Sequence, residues 1–118
     1  MILGLRTAIY PTPDLAAAKA WYAGLLDASP YFDQPFYVGF AVAGYELGLL
    51  PDGDPAVGAL TYWGVDDVPA AVAATVAAGA SVLSPAAEVG DEIVTATVRS
   101  PDGSVVGLIF NPHFSLDR

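Results

Sequence analysis

With 118 residues and 13 acidic against 4 basic side chains, the chain is about one domain's worth of strongly acidic polypeptide, at a formal net charge of −9. Four scattered cations cannot form the basic surface that a nucleic-acid or anionic-membrane binder needs. A hydrophobic content of 54% excludes a disordered chain, and the lack of cysteine excludes disulfide scaffolds, zinc–thiolate and iron–sulfur sites and a thiol nucleophile.

The opening Met1-Ile2-Leu3-Gly4-Leu5-Arg6 has no basic region followed by a long apolar stretch, so no signal peptide is expected. Leu3 to Tyr10 reads as a strand closed by Pro11 and Pro13. Asp14 caps a helix over Leu15 to Leu26, with Leu15, Ala18, Tyr22 and Leu25 on one stripe, and Ser29-Pro30 breaks it. Phe36 to Val42 and Tyr45 to Leu50 are apolar and aromatic strands, joined by an Ala43-Gly44 hairpin turn. Pro51-Asp52-Gly53-Asp54-Pro55 is a polar connection. Ala59 to Val65 is the next strand. Asp66-Asp67 then caps a second helix, with Pro69 in its first turn and Gly79 as its stop. Strands follow over Ala80 to Leu83, Glu92 to Arg99 and Val105 to Phe110, with Pro101-Asp102-Gly103 turning between the last two. The uncharged run Val68 to Ala87 is interrupted by Pro69, Gly79 and Pro85, and it reads as helix, turn and strand rather than a membrane span. A cytoplasmic globular protein is expected.

The second half repeats the order of the first. Asp14 and Asp67 stand 53 residues apart, and the same offset pairs Tyr10 with Trp63, Ile9 with Tyr62 and Thr7 with Leu60. Leu47-Gly48-Leu49-Leu50 likewise matches Val106-Gly107-Leu108-Ile109. Internal duplication of a strand–helix–three-strand unit is the strongest organisational signal in the chain. The expected fold is α+β, two tandem βαβββ modules over residues 1–53 and 57–118 of a single 1–118 domain.

Several motifs recur in a telling order: Tyr10-Pro11-Thr12-Pro13-Asp14-Leu15, Ala20-Trp21-Tyr22-Ala23-Gly24-Leu25-Leu26, Tyr45-Glu46-Leu47-Gly48-Leu49, Val65-Asp66-Asp67-Val68, Ser100-Pro101-Asp102-Gly103-Ser104 and Asn111-Pro112-His113-Phe114. In that order and spacing they make the chain resemble the glyoxalase/bleomycin-resistance/dioxygenase superfamily, the vicinal oxygen chelate proteins, over essentially its whole length. The resemblance implies curved mixed sheets around a ligand cavity, helices outside, and a homodimer. For most members it also implies a divalent metal, held by His or Gln on the first strand of each module and Glu on the last. At the first-strand positions this chain has Thr7 and Leu60. At the last-strand position it has Gly107 in the second module, and in the first either Gly48 or, on the same strand face, Glu46. One carboxylate does not hold a cation against water. No metal and no cofactor are therefore expected, and Gly48 and Gly107 are expected to leave the cavity roomier.

Glu46 is the candidate catalytic group, and the sequence leaves its direction, inward or to solvent, open. Tyr31, Phe32, Phe36, Tyr37 and Phe40 cluster within ten residues, where the resemblance implies a cavity mouth. Aromatic walls with a few polar groups are what ligand pockets present. Tyr62 shares a strand face with Leu60 and would point inward, with Trp63 toward the helix. Trp21 and Tyr22 are expected in the core or an interface. His113, the only histidine, is expected at the surface. No Ser-His-Asp set and no glycine-rich nucleotide loop is present. The expected function is binding of a small organic molecule, cationic if the acidic excess serves it, with Thr7, Phe36, Tyr37, Phe40, Glu46 and Tyr62 as the binding residues. The alternative is a metal-dependent lyase, isomerase or dioxygenase of the same superfamily. A metal-free enzyme using Glu46 or a tyrosine as acid–base is a further one.

Overall fold

Asp14 and Asp67 open the two helices of the computed structural model, which describes residues 1–115. Each carboxylate accepts from the amide three residues on, Ala17 N and Ala70 N, at 3.1 Å in both cases. That is the bond an aspartate N-cap supplies to the orphan donors of a first turn. Helix α1 (Leu15–Leu26) ends at Asp27, whose φ of 51° is left-handed, and helix α2 (Val68–Ala77) ends just before Gly79. Eight strands complete the fold: β1 (Gly4–Pro11), β2 (Phe32–Gln34), β3 (Tyr37–Val42), β4 (Tyr45–Leu50), β5 (Leu60–Gly64), β6 (Ser81–Glu88), β7 (Val94–Arg99) and β8 (Val105–Phe110). A short 3-10 turn, Pro55–Val57, lies in the connection between the halves. Among the described residues no helix is long and apolar enough to cross a membrane.

Both halves use the same strand order. The first runs β2-β3-β4-β1 and the second β6-β7-β8-β5. In each, the outer pairs are antiparallel and the last pair is parallel: β1 with β4, and β5 with β8. Mixed sheets with a helix on one face make this the α+β architecture expected. Two strands differ from the sequence reading. β2 was unforeseen, because three exposed residues after a proline carry no alternation to read. β6 runs on through Pro85 to Glu88, since an exposed strand with register shifts tolerates the missing donor.

The chain divides into two compact units, Thr7–Leu60 and Met1–Arg6 with Thr61–Phe114. The first six residues thus go with the second half: Leu3 N donates to Gly64 O at 2.8 Å, and the Arg6 guanidinium lies 3.7 Å over the Phe114 ring. In that unit Val65, Val68, Ala71, Ala96 and Leu108 form the core beneath α2. In the other, Val38, Phe40 and Leu49 are fully buried against Leu15, Ala18, Tyr22 and Leu26 of α1. Phe40, read from the sequence as a ligand-binding residue, is therefore a core residue. Two-residue alternation along β3 sends it to the helix face with Val38. Truncating it removes a fully buried ring, so Phe40→Ala is expected to cost about 3–5 kcal/mol in chemical denaturation. A residue lining an open pocket would cost far less.

Candidate functional site

Alternation decides which side chains meet on the face of the first sheet turned away from α1. On β4, Leu47 and Leu49 take the helix side, leaving Glu46 and Gly48 on the other. On β3, Tyr37, Gly39 and Ala41 are the counterparts, with Ala41 opposite Glu46 and Gly39 opposite Gly48. β1 brings Thr7 level with Glu46 in the parallel pairing, and Thr7 is 6% exposed. Glu46 thus points onto this face, which answers the question its sequence left open.

Two cross-strand glycines, 39 and 48, leave a strip of bare backbone beside the carboxylate. Two phenol rings lie on it. A Cβ built on Gly39 would stand 3.1 Å from Tyr31 Cε1 and 2.8 Å from Glu46 Oε2. A Cβ on Gly48 would stand 2.6 Å from Tyr37 Cζ and would collide with its hydroxyl. Only glycine permits such an approach at both positions. From these seats the phenols converge on one carboxylate: Tyr37 donates to Glu46 Oε1 at 2.9 Å, and Tyr31 donates to Oε2. Phe32 extends the aromatic surface, its ring 6.1 Å from Tyr37 and 6.0 Å from Phe36.

Of the residues expected to bind a ligand, the structure brings Thr7, Tyr37 and Glu46 together on this face and attaches Phe36 to them through Phe32. Phe40 lies on the opposite face. Tyr62 belongs to the other unit, where it is directly opposite Gly107 in the β5–β8 pairing. A Cβ on Gly107 would stand 2.5 Å from Tyr62 Cδ1. The space expected to be vacant at Gly48 and Gly107 is therefore filled, in each unit, by a tyrosine ring. Tyr31 and Gly39 were missed as site residues. The signal was present in the aromatic run after Pro30 and in a glycine inside a strand, which marks close backbone approach.

The electrostatics single out Glu46. The described basic side chains are engaged elsewhere. Lys19 pairs with Asp33 at 3.1 Å, Arg6 covers Phe114, and Arg99 donates to Gly103 O. Neutral phenols are what the half-buried carboxylate has for partners. Tyr31 is 63% exposed as a whole, but its hydroxyl end lies over Gly39 against the carboxylate. Burial of that end, then the hydrogen bond to Glu46 and the nearby negative charge, hold the phenol well above the ordinary tyrosine range. Burial likewise raises Tyr62 and Tyr22, the latter with a smaller contribution from Tyr10. His113 is exposed and structural: its Nε2 lies 2.9 Å from Asp91 O and donates to it.

No family model matches the chain, and no curated protein does. Solved structures do. Streptomyces coelicolor methylmalonyl-CoA epimerase matches with a TM-score of 0.78 at 16% identity, over 98% of this chain and 99% of that one. The Mn(II)-bound glyoxalase of Novosphingobium aromaticivorans matches with a TM-score of 0.76 at 20% identity, over 99% of this chain and 42% of that one. The hypothetical protein BH1468 of Bacillus halodurans matches with a TM-score of 0.75 at 13% identity, over 94% of this chain and 96% of that one.

The raised tyrosines set an alkaline limit. Unfolded tyrosines ionise near pH ~10, and the folded ones at 22, 31 and 62 do so later. Above that pH the unfolded state binds fewer protons than the native state, so stability is full below about pH 10 and falls as pH rises further. Denaturation midpoints measured from about pH 9 to 11 are expected to drop, and to drop less steeply in Tyr31→Phe. An equal slope in the variant would show that the Tyr31 phenol is not held above the ordinary tyrosine range.

Proposed function

The chain has the fold of the vicinal oxygen chelate superfamily, and on that fold we propose that it binds a small organic cation at Glu46 without a resident catalytic metal. The observation that carries this reading is a half-buried carboxylate that accepts from two phenols, on a chain of net charge −9. A carboxylate has about four acceptor sites, and two donors leave room for a ligand's N–H groups. Tyr31, Phe32 and Tyr37 offer ring faces to the same positive charge, and Thr7 offers a hydroxyl on the same sheet face.

A divalent metal does not fit the residues present. The positions that the resemblance assigns to its ligands hold Thr7, Leu60, Gly107 and either Gly48 or Glu46. A tyrosine ring covers each glycine, Tyr37 over Gly48 and Tyr62 over Gly107. Among the described residues no three His, Cys, Asp or Glu side chains converge as a cation site. A lone carboxylate that already accepts two hydrogen bonds leaves a hard cation mostly hydrated. In this reading Glu46 holds the ligand's cationic group, the phenols orient the carboxylate, and the aromatic rings cover the apolar body.

The working assembly in this reading is a cytoplasmic homodimer. Trp21 and Leu25 are 61% and 63% exposed on α1, and with Ala20 and Gly24 they border an apolar groove that a second copy could cover. Sedimentation at micromolar concentration is expected to show two chains, and a monomer removes this part of the reading.

Calorimetric titration with benzylamine and with benzyltrimethylammonium tests the site itself. Binding of both is expected, weakened about tenfold or more in Glu46→Gln, which keeps the shape and removes the charge. Zinc, nickel, manganese and iron are expected to leave the melting temperature of the wild-type chain unmoved. Stoichiometric metal binding that raises it would restore the metalloenzyme alternative.

A further inference from the structure

Tyr31 and Tyr37 make the same bond to the two oxygens of one carboxylate, but they are not equivalent. Tyr37 is half-buried, starts a strand, and lies with its ring against Gly48. Tyr31 sits in the exposed run between α1 and β3 and is itself 63% exposed. Its amide donates to Gly39 O at 3.0 Å, so the backbone is anchored independently of the side chain's bond to Glu46. The Tyr31 ring is largely exposed and only its hydroxyl end is buried against Glu46, so a turn outward exchanges the carboxylate for water, whereas the Tyr37 ring is held against Gly48.

We propose that Tyr31 determines which cations the Glu46 site accepts: its phenol holds Oε2 and yields it to a ligand that brings an N–H donor of its own. The inference rests on the organic-cation reading of Glu46. A primary ammonium carries three donors, and its bond to a carboxylate is charge-assisted on both sides, stronger than the phenol bond it replaces. A quaternary ammonium has no N–H to give. It leaves Tyr31 in place and binds against the ring faces. Tyr37 keeps its bond to Oε1 in both cases and orients the carboxylate. Tyr31 is thus a specificity-determining residue, and the displaced phenol turns outward into water.

The test is the ratio of affinities for benzylamine and benzyltrimethylammonium, measured by calorimetry on the full chain and on Tyr31→Phe. The variant keeps the ring and loses the competing hydroxyl, so the ratio is expected to shift about tenfold in favour of benzylamine. In the wild-type chain at pH 7, where benzylamine is a cation, its saturation is expected to give a tyrosine ultraviolet difference signal as one phenol moves into water; that signal is expected to be absent in Tyr31→Phe and with benzyltrimethylammonium. Benzylamine binding with an unshifted or reversed ratio overturns the role of Tyr31 and leaves the Glu46 site standing. Failure of both probes to bind the wild-type chain overturns the site, and the selection by Tyr31 with it.

Discussion

A carboxylate that is half out of water must be given donors, and at Glu46 those donors are phenols. That requirement organises the first sheet. Here both phenols reach the carboxylate across positions where a Cβ would stand in their way. Glycine at 39 and at 48, paired across β3 and β4, leaves those positions clear. Glycine weakens a strand, so the flanking positions must compensate. They do so with Val38, Phe40, Leu47 and Leu49 on the other face, packed under α1. The sequence Val38-Gly39-Phe40 against Leu47-Gly48-Leu49 is one pattern: full on the helix side, bare on the site side.

The second unit repeats the contact by another route. Tyr62 reaches Gly107 from directly across a parallel pair, whereas Tyr37 reaches Gly48 along an antiparallel one. The strands that supply the rings are not counterparts in the duplication. What the two units share is the glycine and the need to fill the space above it, because a void against backbone forfeits packing on every side. This is also why the absence of ligand side chains at 48 and 107 does not open a larger cavity.

Four of the 13 acidic side chains contrast with Glu46. Asp14, Asp54, Asp67 and Asp102 each accept a backbone amide bond at a helix start or a turn, which is the ordinary work of aspartate in such places. Asp102 also accepts from Ser100, and that bond first, then those from Ser104, hold it below the usual carboxylate range. Their charge follows from the fold. Glu46 is of another kind: it sits within a strand, caps nothing, and accepts from two side chains rather than from a backbone amide.

The sequence by itself determined the α+β class, the order of both helices and of every strand but β2, both aspartate caps and the repeat, because each depends on residues close in the chain: a cap and its amide, a turn and its glycine, an alternating strand. It also singled out Tyr37, Glu46 and Thr7, which the structure brings to one sheet face. Local pattern could not say that Phe40 faces the helix, since a strand of Tyr, Val, Gly, Phe, Ala and Val is apolar on both faces until something packs against one. Nor could it give the direction of Glu46, which follows from Leu47 and Leu49 having taken the helix side. Tyr31 entered the site only in three dimensions. It is 15 residues from Glu46, and its hydroxyl reaches the carboxylate because β3 folds back on β4 and two glycines leave the space between them bare.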